Sequence, residues 1–142
     1  MVHQISIFLE NRAGQLAEVT RVLADNHIDM RALSIAETAD YGVLRLIVDD
    51  AEKATQILHE HGYILSMTPV SVVCVPDEAG GLAPVLEALA KGNMDVEYMY
   101  SLFTHKDGMA YMVFRIEDEA KFADLLRPYR IMLAGKEELG LK

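Results

Sequence analysis

Asn11, Arg12, Ala13, Gly14, Gln15 and Leu16 stand between an alternating strand pattern and an amphipathic helix pattern. That position carries a chemistry of its own. The first N–H groups of a helix lack intrahelical partners, and the positive end of the helix dipole lies behind them. Such a helix start is a seat for a carboxylate or a phosphate. Gly14 lets the backbone turn sharply and leaves room for a group to approach. The same turn returns at Asp77-Glu78-Ala79-Gly80-Gly81-Leu82, with Gly80 following Gly14 by 66 positions. It again follows an apolar strand and precedes an amphipathic helix.

The other reactive side chains form no constellation. His59 and His61 are two apart on a helix and face different directions, and His3, His27 and His105 stand alone near element ends. Glu117-Asp118-Glu119 reads as a solvated helix start favoured by the dipole. Cys74, the single cysteine, sits in an apolar run and excludes an internal disulfide; it reads as core. No nucleophile with a partnered base, no metal spacing and no phosphate-loop signature occurs, so the expectation is no catalytic residue, no metal and no cofactor. Thirteen basic against 22 acidic side chains leave a net charge of −9, which repels nucleic acid and anionic lipid. With 51% hydrophobic and 25% charged residues the chain reads as globular. No apolar run approaches the ~20 residues of a membrane span and no signal-peptide layout opens the chain, so a cytoplasmic protein without membrane contact is expected.

The elements that position the two turns follow from periodicity. Residues 4–10 alternate, with Ile5, Ile7 and Leu9 on one face and Gln4, Ser6, Phe8 and Glu10 on the other. Leu16, Val19, Val22 and Leu23 stripe a helix that closes at Asn26-His27. A strand from Ile28 to about Glu37, a turn at Asp40-Tyr41-Gly42 and a strand over Val43–Val48 come next. Asp49 or Asp50 caps a helix striped by Ala54, Ile57, Leu58 and His61, and Tyr63–Thr68 is a fourth strand before Pro69. The second half repeats the order. Val70–Val75 is a strand, Leu82, Val85, Leu86 and Leu89 stripe a helix, and Met94–Thr104 and Met109–Ile116 are strands joined at His105–Gly108. Phe122, Leu125, Leu126 and Tyr129 stripe the last helix, Arg130–Leu133 is a final strand, and Lys136–Lys142 is a polar tail. Ala13/Ala79, Gly14/Gly80, Leu16/Leu82, Asp29/Asp95, Gly42/Gly108 and Ala54/Ala120 are identical across the 66-residue register. Core periodicity accounts for the leucines but not for the loop and aspartate pairs, which mark equivalent backbone positions. The fold class predicted is α+β: two ferredoxin-like βαββαβ modules with antiparallel sheets and helices on one sheet face, residues 1–69 and 70–142.

A βαββαβ unit opening with strand–Asn-Arg-Ala-Gly-Gln-Leu-Ala-Glu-Val resembles the ACT domain, and Gln4–Leu9, Asn11–Val19, Ile28–Ile35, Gly42–Val48 and Asp77–Leu82 together resemble a stand-alone tandem ACT protein. Where that family commonly has proline before the loop glycine, both copies here carry alanine, Ala13 and Ala79. The resemblance implies a regulatory module that binds a small ligand, usually an amino acid, between the loop of one module and the second-strand edge of a neighbour. On that implication backbone N–H groups at Ala13–Leu16 hold an α-carboxylate, Arg12 and Gln15 belong to the same loop, and Asn11 or Asp29 accepts from an α-ammonium. Met30 and Leu16 bound an apolar pocket. Asp77, Gly80, Gly81, Leu82 and Asp95 surround a second site by the same argument. Each aspartate and Asn11 also has a plain reading: Asn11 and Asp77 as N-caps, Asp29 and Asp95 as polar residues at strand starts.

The function expected is sensing of an amino acid or related metabolite, passed to a partner protein or to self-assembly. The alternative is a ligand-free structural or protein-interaction module. Strands with apolar residues on both faces, such as Tyr98, Tyr100 and Leu102 against Met99 and Phe103, predict a homodimer or sheets stacked internally. Gly14 is the expected key position of the stronger site, because Asp77 and Glu78 place two negative charges at the second helix start.

Overall fold

In the computed structural model all 142 residues are described except Asn11, Thr38 and Ala39. The chain forms two compact units. The first comprises His3–Thr68 with Gly140–Lys142, the second Met1–Val2 with Pro69–Leu139. The elements run β1 (Val2–Glu10), α1 (Gln15–Asp25), β2 (Met30–Glu37), β3 (Tyr41–Val48), α2 (Ala51–Glu60) and β4 (Ile64–Pro76). They continue with α3 (Ala83–Lys91), β5 (Tyr98–Lys106), β6 (Met109–Arg115), α4 (Glu119–Leu126), a 3-10 turn (Arg127–Tyr129) and β7 (Leu133–Ala134). The expected order βαββαβ is thus present twice, and the modules are ferredoxin-like with antiparallel sheets and helices on one face. The strands expected at Tyr63–Thr68 and Val70–Val75 form one β4, with Pro69 inside it and the unit boundary falling between Thr68 and Pro69.

In the first unit β3 pairs antiparallel with β1 (Ile5 opposite Leu46, Ile7 opposite Leu44) and with β2 (Leu33 opposite Leu46, Ile35 opposite Leu44). Ile5, Ile7, Leu9, Leu44, Leu46 and Val48 form one sheet face, and Val19 and Leu23 of α1 with Ala54 and Leu58 of α2 complete its core. Burying such side chains stabilises by roughly 1.5–3 kcal/mol each relative to exposure. Asp50 caps α2: its side chain accepts from the Lys53 N–H at 3.1 Å. His61, expected on the apolar stripe, is instead exposed at the C-cap, with Nδ1 2.8 Å from the Ile57 carbonyl oxygen. The opposite sheet face is not simply polar and wet. Gln4 and Ser6 are buried and joined by a 3.0 Å hydrogen bond, and Ile47 and Ala32 are buried too, whereas Phe8 stays 44% exposed.

In the second unit β6 pairs antiparallel with β4 and β5, and β7 pairs with β4 through Val72–Ala134 and Val73–Leu133. Val73, Val75, Phe114 and Ile116 meet Val85, Ala88 and Leu89 of α3 and Phe122 and Leu126 of α4. Here too both faces of the strands are buried: Val72 and Val113 lie opposite this core face, and Leu102 of β5 is buried as well. The pairing of β5 with β6 is irregular between Ser101 and His105, and within that stretch Leu102 is buried while the next residue, Phe103, is 53% exposed. The final strand is shorter than the expected Arg130–Leu133. Arg130 has φ +60°, a left-handed conformation that ends the 3-10 turn and delays strand pairing to Leu133. The polar tail is not free either. Leu139 is buried, its N–H donates to the Gly135 carbonyl, and the Lys142 N–H donates to the Asp49 carbonyl at 2.8 Å.

Candidate functional site

Gly14 has φ +87° and serves as the N-cap of α1, with no side chain capping the helix. The Glu18 N–H donates to the Gly14 carbonyl at 3.0 Å, so the N–H groups before it stand at an uncapped helix start. Among the described residues, and apart from its chain neighbours, no atom lies within 4 Å of the place a Gly14 Cβ would take. Beside this start lies a cleft of about 160 Å³. Arg12, Gln15 and Leu16 line it from the loop, Leu9 and Glu10 from β1, Ile35 and Glu37 from β2, and Gly42 from β3. The reason is geometric. Leu9 and Glu37 both lie opposite Gly42, so three strand ends meet over a residue without a side chain, at the point where α1 begins.

The cleft holds both signs of charge. Arg12 donates to Glu18 at 2.9 Å and lies 3.4 Å from a Glu10 oxygen. Glu37 stands exposed on the opposite wall. Gln15 Oε1 is buried and has no hydrogen-bond partner among the described residues, an acceptor that costs free energy until something donates to it. Leu16, expected on the core stripe, is 37% exposed and lines the cleft. Tyr63 stands near: burial first, then the Glu18 charge, push its phenol up, against the lowering pull of Arg12.

Ala13 and Gly14 are exposed at the loop tip, outside the cleft lining. Asn11 lies outside the described residues. Asp29 and Met30 stand at the start of β2, whereas Ile35 and Glu37 near its end form the cleft, so within this unit the two ends of β2 are separated. Asp29 binds Arg31 at 3.0 Å, its N–H donates to Asp49 at 3.0 Å, and Met30 packs on the helix-side core. Glu10, Ile35, Glu37 and Gly42 escaped the sequence reading. The Gly42/Gly108 identity does not mark one conformation: Gly108 has φ +73° in the turn between β5 and β6, whereas Gly42 lies within β3 without a positive φ.

The second loop is built differently. α3 starts at Ala83, and Leu82, not Asp77, is its N-cap. The Asp77 carboxylate is held by His105 Nδ1 at 3.0 Å, and its N–H donates to the Gly108 carbonyl at 2.8 Å. Asp77 is therefore tied to the β5–β6 hairpin. Gly80 is exposed with φ +81°, but Gly81 is buried and a Cβ there would overlap the Pro76 carbonyl oxygen. Leu82 packs on the second core, and Asp95 is exposed before β5. Among the described residues no group of three His, Cys, Asp or Glu side chains is placed to hold a metal ion, and no helix is long and apolar enough to cross a membrane.

Against known proteins the chain shows one sequence family and one fold. Protein BT0572 from Bacteroides thetaiotaomicron is 38% identical, with a TM-score of 0.88 over 98% of this chain and 95% of that one. The regulatory subunit of aspartate kinase from Thermus thermophilus, in a ligand-free form, is 16% identical, with a TM-score of 0.64 over 89% of this chain and 91% of that one. Its counterpart from Thermus flavus is also 16% identical, with a TM-score of 0.61 over 92% of each chain. These last two share the fold. No curated protein matches in sequence. The profile of the ACT domain pair matches residues 1–139, and the chain belongs to the ACT domain pair family.

Proposed function

We propose that this ACT domain pair is a regulatory sensor of a small zwitterionic metabolite, an amino acid, bound at the start of α1. The observation that carries the reading is the orphaned Gln15 Oε1 in a cleft lined by Arg12, Glu10 and Glu37. An α-carboxylate has the uncapped helix start and the Arg12 guanidinium, an α-ammonium has the two glutamates, and Gln15 Oε1 accepts a further hydrogen bond. A volume of about 160 Å³ suits the polar head of a ligand rather than a large molecule, for which pockets of roughly 300 Å³ or more are usual. The modules are residues 1–69 and 70–142, the protein acts in the cytoplasm as a homodimer, and it regulates rather than catalyses. Ligand occupancy would be transmitted because the ligand prefers one arrangement of the protein over another. Regulatory subunits of aspartate kinase have the same fold, which agrees with such a role.

The structural reading is favoured for the second loop. There Asp77 is engaged by His105, and the Pro76 carbonyl occupies the space beside Gly81. The first loop binds and the second braces its hairpin.

Calorimetric titration with the twenty amino acids, on the native chain and on Gly42→Val, tests this. Gly42 has no positive φ, and a Cβ there meets Ile35 Cδ1 and the Ala36 carbonyl at 3.8 Å, an ordinary contact. A Cβ is therefore accommodated beside the cleft, and circular dichroism checks that Gly42→Val keeps the fold. Loss of at least tenfold in affinity is expected from blocked access. Titration silent for every amino acid, or binding unchanged in Gly42→Val, overturns the assignment. Sedimentation at micromolar concentration tests the dimer, and a monomer there overturns that part.

A further inference from the structure

The second unit carries a cleft of about 420 Å³ that the first-loop reading does not use. Its lining is largely apolar and soft: Cys74 of β4, Met109 of β6, Met132 just before the short β7 and Leu133, the first residue of β7. Two charged side chains stand on its walls, Arg130 and Glu138. Arg130 projects from a left-handed backbone position, φ +60°, immediately after the 3-10 turn. Neither it nor Glu138 takes part in an ion pair or a side-chain hydrogen bond among the described residues, although other arginines of the unit, Arg115 and Arg127, do. Met132 is 79% exposed, the largest exposure among the big apolar side chains here. A second hollow of about 370 Å³ shares Arg130–Leu133 as its lip, so this segment has open space on both sides. Both volumes fall in the range of small-molecule sites.

A cation and an anion that line one cleft without pairing, over a thioether and aliphatic floor, complement a ligand of opposite polarity with an apolar body. We infer that the cleft between β4, β6 and the Arg130–Leu133 segment is a second binding site, for a small apolar zwitterion. Its anionic group meets the Arg130 guanidinium, its cationic group meets Glu138, and its hydrocarbon lies on Met109, Met132 and Leu133. The site is independent of the first-loop cleft and stands or falls without it.

The test uses the full chain labelled at the methionine ε-methyls, in the Gly42→Val background so that the first-loop cleft is closed. Norleucine, hexanoate and pentylamine are the probes: one apolar chain bearing both charges, the anion alone and the cation alone. Norleucine shifts the Met109 and Met132 methyl resonances saturably, and each single-charge analogue binds at least tenfold more weakly. Arg130→Asn removes the guanidinium while keeping a residue that tolerates positive φ, so the fold persists and norleucine affinity falls about tenfold or more. Glu138→Gln lowers it as well and abolishes the preference for norleucine over hexanoate. Absence of norleucine-induced shifts at Met109 and Met132, or shifts that survive unchanged in both variants, overturns the site. Hexanoate binding as tightly as norleucine overturns the zwitterion.

Discussion

Gly14 and Gly81 are neighbours of equivalent turns, yet substitution at each fails for a different reason. At Gly14 there is space for a Cβ but the φ of +87° disfavours any side chain, most of all a β-branched one. Gly14→Val should cost about 1–2 kcal/mol of stability from backbone strain and abolish first-loop binding, read by denaturant unfolding and calorimetry. At Gly81 the obstacle is contact: the Pro76 carbonyl oxygen fills the place of a Cβ. Gly81→Ala should destabilise by about 1–3 kcal/mol through forced displacement of the loop, while first-loop binding survives. A larger loss of binding in Gly81→Ala than in Gly14→Val would reverse the roles given to the two loops. Cys74 and Tyr111, paired across β4 and β6, supply a pH dependence. Burial, the largest cause, pushes both the thiol and the phenol up, and the Glu138 charge adds to each. A raised folded-state pKa means stability is fully present below the unfolded thiol value and is lost as pH rises through the folded one. The Cys74 contribution to the unfolding free energy should be level below about pH 8.5 and fall above it, and Cys74→Ser should remove the earliest part of the alkaline fall.

At the scale of elements the two units differ in how their helices start. The second helices are both side-chain capped, Asp50 to the Lys53 N–H at 3.1 Å and Asp118 to the Lys121 N–H at 3.0 Å. The first helices, α1 after Gly14 and α3 after Leu82, are not. Asp50→Ala and Asp118→Ala should each cost about 1 kcal/mol, a drop of roughly 2–4 °C in melting temperature for a chain of this size. A change near zero at either site would mean that tertiary contacts alone hold that helix start.

For the whole molecule the consequence of ligand binding is mass action. At a hundredfold excess over its dissociation constant an amino acid bound at the first loop adds about 2.7 kcal/mol, a rise of several degrees in melting temperature. Differential scanning fluorimetry at millimolar ligand reads it directly. For a ligand that does not also occupy the second-unit cleft, the rise should disappear in Gly42→Val and persist in Gly81→Ala.

The 66-residue register and the alternation of periods two and 3.6 were enough to derive two βαββαβ modules, because core positions repeat with the geometry of helix and strand. The loop glycines were legible for a related reason: only a residue without Cβ sits easily at φ +87° or +81°. Periodicity is silent on what lies across a strand. Glu10, Ile35, Glu37 and Gly42 come together at the first loop only because the pairing of β1, β2 and β3 brings three strand ends there. The same pairing puts Asp29 and Met30 at the far end of β2, a separation that residue type does not encode. His61 off the core, Leu139 within it and the shortened β7 are likewise tertiary outcomes, set by where neighbouring backbone leaves room. Local sequence determined which elements form and where they turn, since those depend on a few adjacent residues. Only the packed chain decided which side chains share a cleft, since that depends on residues tens of positions apart.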